Sequence, residues 1–142
     1  MRVMIVVKET EKGAAGALPT EAHLAAMGKY NQELQDAGVL LDVAGLRPSS
    51  AGARVRFGGG KRTVIDGPFT ETKELIGGYW IIKVKSAAEA IEWAKRIPGE
   101  ICDIAEVEVR PFYEFEDFLS GAALDAAREM EAKLPGNTGG KQ

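Results

Sequence analysis

Twice along this chain a strand-like run gives way to a capped helical run, and that repeated change of hydrophobic period restricts the fold more than any other feature. The first strand is Arg2-Val3-Met4-Ile5-Val6-Val7-Lys8, rich in β-branched side chains and closed by the charged Lys8–Lys12 segment. A loop with Gly13, Gly16 and Pro19 follows, and Thr20 then offers an N-cap. Leu24, Met27, Tyr30 and Leu34 recur three or four residues apart, which predicts a helix ending before Gly38. The second switch runs from the strand Tyr79–Lys85 to a helix capped by Ser86, with Glu89 completing a capping-box pattern. Ala90, Ile91, Ala94 and Ile97 give that helix an inward face, and Pro98-Gly99 stops it. A further apolar run follows each helix, Val39–Leu46 and Ile101–Val109, so the order is β-α-β twice.

Between the two units lies a hairpin. Ala53–Phe57 and Arg62–Ile65 flank Gly58-Gly59-Gly60, which supply the positive φ angles a tight reversal needs. Two β-α-β units with two helices on one face of a mostly antiparallel sheet predict an α+β fold. The plan is the ferredoxin-like split βαβ, with the hairpin inserted. An open sheet covered on one face leaves the other to a second copy, so a homodimer is expected. The domain is expected to span residues 1–111. An aromatic and helical extension over 112–134 and a disordered tail over 135–142 complete the chain, the tail because Pro135–Gly140 lacks side chains that could be buried.

Composition excludes several functions. The 142 residues are 45% hydrophobic, enough for one core. Acidic and basic side chains, 21 and 18, are mixed along the chain to a net charge of −3, which offers no one-sign surface to a nucleic-acid backbone. The N-terminal apolar run is too short to span a bilayer and no cleavage pattern follows it, so neither membrane nor export is expected; with a single cysteine, Cys102, the reading is cytoplasmic. One cysteine and one histidine do not make a metal site, and no cofactor motif is present: Gly58-Gly59-Gly60-Lys61 lacks the glycine spacing and Ser/Thr of a phosphate loop.

The most distinctive stretch is Val64-Ile65-Asp66-Gly67-Pro68-Phe69-Thr70-Glu71-Thr72-Lys73-Glu74-Leu75-Ile76-Gly77-Gly78-Tyr79. It resembles the signature of the DGPF group of the YCII-related family. The likeness extends to Ala37–Leu40, Gly45–Pro48, Glu92–Ala94 and Val107–Pro111. That resemblance implies a dimeric α+β barrel with a cavity in or beside each subunit, and no settled activity. Related proteins are thought to use a His-Asp pair, one relative acts in dehalogenation of an aromatic breakdown product, and members of the DGPF group are often encoded beside extracytoplasmic-function sigma factors.

Two functions from different classes follow. In one, a small molecule binds near the DGPF loop and undergoes a proton-transfer or lyase-type step. His23, the one side chain whose ordinary pKa suits general-base work, is then paired with Asp66, with Asp36 and Asp42 as weaker candidates, and Gly67, Pro68, Phe69, Glu71, Lys73 and Glu74 contact the ligand. In the other, the chain is a non-catalytic dimeric accessory or regulatory protein linked to sigma-factor signalling. The motif is then structural: Gly67-Pro68 a turn, Asp66 an acceptor for the amides after it, and Phe69 a plug.

Overall fold

The computed structural model describes residues 1–71 and 74–136, and the chain divides after Phe112 into two compact units. The first contains β1 (Arg2–Lys8), α1 (Glu11–Ala14), α2 (Glu21–Asp36), β2 (Leu40–Gly45), β3 (Ala53–Gly58), β4 (Lys61–Asp66), β5 (Ile76–Lys83), α3 (Ala87–Lys95) and β6 (Val107–Pro111). Four strands form one sheet in the order β2-β5-β1-β6, antiparallel at every pairing, while β3 and β4 form a separate hairpin. With the hairpin set aside, this is the strand order of the split βαβ plan.

Strand alternation sends Val3, Ile5 and Val7 of β1 and Trp80 and Ile82 of β5 to the face covered by the helices. Tyr30 and Leu34 of α2 and Ala90 of α3 complete the core. The Tyr30 ring meets Trp80 edge-on at 5.3 Å, its hydroxyl donates to the Trp93 carbonyl of α3 at 2.8 Å, and Trp80 Nε1 donates to Asn31 Oδ1 at 2.7 Å. Burial disfavours the phenolate and raises the Tyr30 pKa, so the hydroxyl remains a donor. The helices start as their caps dictate: Thr20 Oγ1 accepts from His23 N and Ser86 Oγ from Glu89 N, each cap worth about 1 kcal/mol.

One strand begins later than its apolar residues predict. Ile101–Asp103 form a turn rather than part of β6, closed by Cys102 N to the Pro98 carbonyl and Ile104 N to the Gly99 carbonyl. Asp103 sits at φ 55°, a left-handed conformation that aspartate tolerates better than most residues. The run is apolar because Cys102 is buried beneath the turn, not because it pairs in the sheet. The hairpin reverses at Gly59 and Gly60, both with positive φ, while Gly58 closes β3 in pairing with Lys61.

The segment after β4 is fastened to the turn before β3. Gly67 N donates to the Gly52 carbonyl, Phe69 N to Ser49 Oγ at 3.0 Å, and the Arg54 guanidinium lies 3.8 Å above the Phe69 ring. A Cβ at Gly67 would collide with the Ser49 carbonyl, so only glycine permits this approach.

In the C-terminal unit, α4 (Ala122–Ala132) follows a 3-10 turn at Phe115–Asp117. Arg128 lies over the Phe115 ring and 3.8 Å from Glu116, and the Tyr113 and Phe118 rings are 5.2 Å apart. The expected disordered tail falls, from residue 137 onward, outside the described residues.

Gly67→Ala should destabilise the protein by roughly 1–3 kcal/mol in urea unfolding, the range for forcing extra volume into a packed site. Gly28→Ala, inside α2 with open space where the Cβ would stand, should stabilise it by roughly 0.4–1 kcal/mol.

Candidate functional site

The side-chain stripe of α2 that builds the core also builds a cavity. His23 stands seven residues before Tyr30 and so lies on the same helix face, with Met27 between them. The sheet beneath changes along that stripe. Ile82 and Trp80 fill the space under α2, but the next inward position on β5 is Gly78, which has no side chain to offer. The strands cannot supply one there, since a Cβ at Gly78 would stand 2.8 Å from the Ala44 carbonyl. A hollow of about 680 Å³ results, within the range of small-molecule sites.

Its walls come from the end of β1, the β1–α2 connection, the first half of α2, the ends of β2 and β5, and the 101–104 turn. Leu18, Leu24, Met27, Val43, Trp80 and Ile104 make most of it apolar. Leu24, on the same apolar stripe as Met27 and Leu34, is 56% exposed and faces this space.

Polar groups cluster near the turn. His23 is half-buried on the cavity wall. Asp103, also on the wall, takes a 2.8 Å hydrogen bond from Lys12 Nζ. That hydrogen bond and the ammonium charge hold the Asp103 carboxyl below the usual carboxylate range, and the His23 ring adds a weaker pull in the same direction. Lys8 reaches Glu108 at 3.4 Å. Cys102 Sγ lies 3.9 Å from the His23 carbonyl, and burial pushes its pKa up, so it does not offer a thiolate.

The far end of the DGPF stretch, Gly77–Tyr79, lines the cavity, whereas the residues of the motif proper sit elsewhere. Asp66 ends β4 opposite Ala53 and lines neither this cavity nor the groove beside it. The carboxylate within electrostatic reach of His23 is Asp103. Phe69 borders the adjoining shallow groove, which shares Glu9 and Leu46–Pro48 with the cavity. Gly67 and Pro68 line neither space, Glu71 accepts from Thr70 and lies 3.7 Å from Arg54, and Glu74 is exposed on the same segment. Hydrogen bonds from its own amide and from Thr70, with Arg54 nearby, lower the Glu71 pKa, which marks it as a stable anion rather than a proton carrier. Lys73 lies outside the described residues.

Asp103, Lys12 and Arg47 were not singled out by sequence reasoning. Two of them carried a signal: Asp103 follows Pro98-Gly99 by a few residues, where a helix stop announces a turn, and Arg47 lies in the Gly45–Pro48 stretch that carries the likeness. Among the described residues no three His, Cys, Asp or Glu side chains form a metal-holding group, and no helix is long and apolar enough to cross a membrane.

Comparison with known proteins adds three findings. The chain is 40% identical over 76 residues to an uncharacterised protein of Rhizobium meliloti (strain 1021), a match spanning 54% of this chain and 61% of that relative. The 5-chloro-2-hydroxyhydroquinone dehydrochlorinase of Burkholderia phenoliruptrix AC1100, solved with 2,5-dihydroxybenzoquinone, aligns with a TM-score of 0.45 at 16% identity, covering 80% of this chain and 95% of that one. Residues 1–113 match the model of the YCII-related domain, and the chain belongs to that family.

Proposed function

We propose that the protein binds a small molecule in the cavity beside His23 and moves a proton on it, in an isomerisation or lyase-type step. The observation that carries this reading is the single histidine, half-buried on the wall of a mostly apolar cavity, with an ion-paired carboxylate beside it. An imidazole can take a proton from a carbon next to a carbonyl and return it to a neighbouring atom or a leaving group. Asp103, kept anionic by Lys12, shares that wall with His23. The DGPF stretch enters this reading through Gly77–Tyr79 on the cavity wall and through Phe69, Leu75 and Ile76 in the adjoining groove, not through Asp66.

A homodimer fits the same reading. The sheet face turned away from the helices carries Met4, Val6, Tyr79 and Ile81, with Asp42, Glu108 and Arg110 on the outer strands, a mixed surface suited to a second copy.

The hairpin favours a second reading, a non-catalytic dimeric accessory protein in a sigma-factor setting. Val55 pairs with Val64, and Phe57 follows on the same face, yet the three are 51%, 64% and 71% exposed. An isolated two-stranded ribbon with a bare apolar face is marginal in water, and a second subunit would cover it.

His23→Gln should slow deuterium incorporation into enolisable cyclic ketones in heavy water, followed by NMR, by roughly 10²–10⁴-fold. Asp103→Asn should give a smaller loss and Asp66→Asn none; a fully active His23→Gln would sink the catalytic assignment. The depressed Asp103 pKa makes the Lys12 contact stabilising above the unfolded carboxylate pKa, roughly 3.9, and that contribution is lost as pH falls through the lower folded value. Carboxyl-carbon NMR should therefore show the Asp103 midpoint rising in Lys12→Met. If the second reading holds, Phe57→Ser with Val64→Ser converts a dimer to a monomer in sedimentation velocity with helical circular dichroism unchanged. A sedimentation coefficient equal to the wild type argues against it.

A further inference from the structure

The cations around the cavity are not equivalent. Lys12 is engaged by Asp103 at 2.8 Å and Lys8 by Glu108 at 3.4 Å. Arg47 lines both the cavity and the adjoining groove, and among the described residues no carboxylate lies within 4.0 Å of its guanidinium. Its backbone is held on either side: Leu46 N donates to the Gly77 carbonyl at 2.9 Å, and Pro48 opens the hydrogen-bonded turn at Ser49–Ala51. The guanidinium fork is thus carried by a braced segment and is open to solvent and ligand.

The protein as a whole is at −3, whereas charge on the cavity wall balances, Lys12 and Arg47 against Glu9 and Asp103, with the Lys8 ammonium drawn to Glu108 on the other face of the sheet. Once the Lys12–Asp103 pair is set aside and Lys8 is assigned to Glu108, Arg47 and Glu9 remain. Glu9 lines the same two spaces without closing on Arg47, so it can accept from a hydroxyl or N–H of the molecule that Arg47 holds. A guanidinium beside an apolar hollow is suited to a planar anion, because its parallel N–H groups match two oxygens and it is weakly hydrated.

Resting on the small-molecule reading, we propose that the ligand is a compact apolar molecule bearing one negative charge, held through that charge by Arg47. Its apolar body lies along Leu24, Val43 and Trp80, which sets the anionic group at one end of the cavity and His23 at another wall. The arrangement separates recognition from proton transfer: Arg47 binds the charge and His23 works on the body.

The test uses the full-length protein and two fluorescent probes of similar shape, the anionic 8-anilinonaphthalene-1-sulfonate and the uncharged N-phenyl-1-naphthylamine. Arg47→Gln should weaken the anionic probe about tenfold, as expected for loss of a charge-assisted hydrogen-bonded contact, and leave the neutral probe unchanged. Arg47→Lys should recover part of the loss. Leu24→Trp, which fills the cavity, should weaken both probes. Equal anionic-probe affinity in wild type and Arg47→Gln overturns the inference while the cavity reading stands, and so does an equal loss of both probes in Arg47→Gln. If neither probe binds, or Leu24→Trp leaves both affinities unchanged, the cavity reading fails and the inference falls with it.

Discussion

Trp80 sets the position of α2, and the rest of the site depends on where that helix lies. The indole is 2% exposed, packs against the Tyr30 edge, and places its N–H on Asn31, so one β5 residue grips two consecutive residues of the helix. A buried indole N–H without an acceptor costs roughly 1–3 kcal/mol, so the Asn31 contact fixes the rotation of α2 as well as its distance. Rotation then decides which residue, two turns upstream, points over the sheet. That residue is His23.

The same strand makes room for a ligand. Ile82, Trp80 and Gly78 occupy successive inward positions of β5, passing from aliphatic to aromatic to nothing. Core and cavity are therefore two halves of one interface between α2 and the sheet. The rigid half positions the open half, as a binding site requires. The turn at Ile101–Asp103 closes the open half, with Cys102 as its buried anchor and Asp103 as its exposed charge.

What could be read in the sequence was whatever local chemistry determines. The caps at Thr20 and Ser86, the stripes of both helices and the glycine reversal at Gly59-Gly60 all follow from residues near one another in the chain, and the order of elements along it points to the sheet plan. The 101–106 segment was misread because an apolar run looks alike whether it pairs in a sheet or buries one thiol under a turn. The charged pair on the His23 wall was not legible at all. Lys12 and Asp103 are 91 residues apart, and nothing local marks either as belonging to the other. Asp66 was the reasonable guess for a partner to His23 because it stands in the most distinctive motif, yet register places it at the end of a hairpin rather than at the cavity.

That displacement says what a distinctive motif is worth. Gly67 is required where the chain passes the Ser49 carbonyl, Phe69 packs under Arg54 and donates its amide to Ser49 Oγ, and both thus fasten the motif to the turn that carries Arg47-Pro48 into the hairpin. The motif therefore acts on the cavity through its wall: it holds the 49–52 turn, the turn continues from Leu46–Pro48, and those residues border the cavity and the groove alike. A signature can mark a functional region without containing its chemistry, because a rigid wall needs special backbone geometry, whereas a proton carrier needs only an ordinary histidine in the right place.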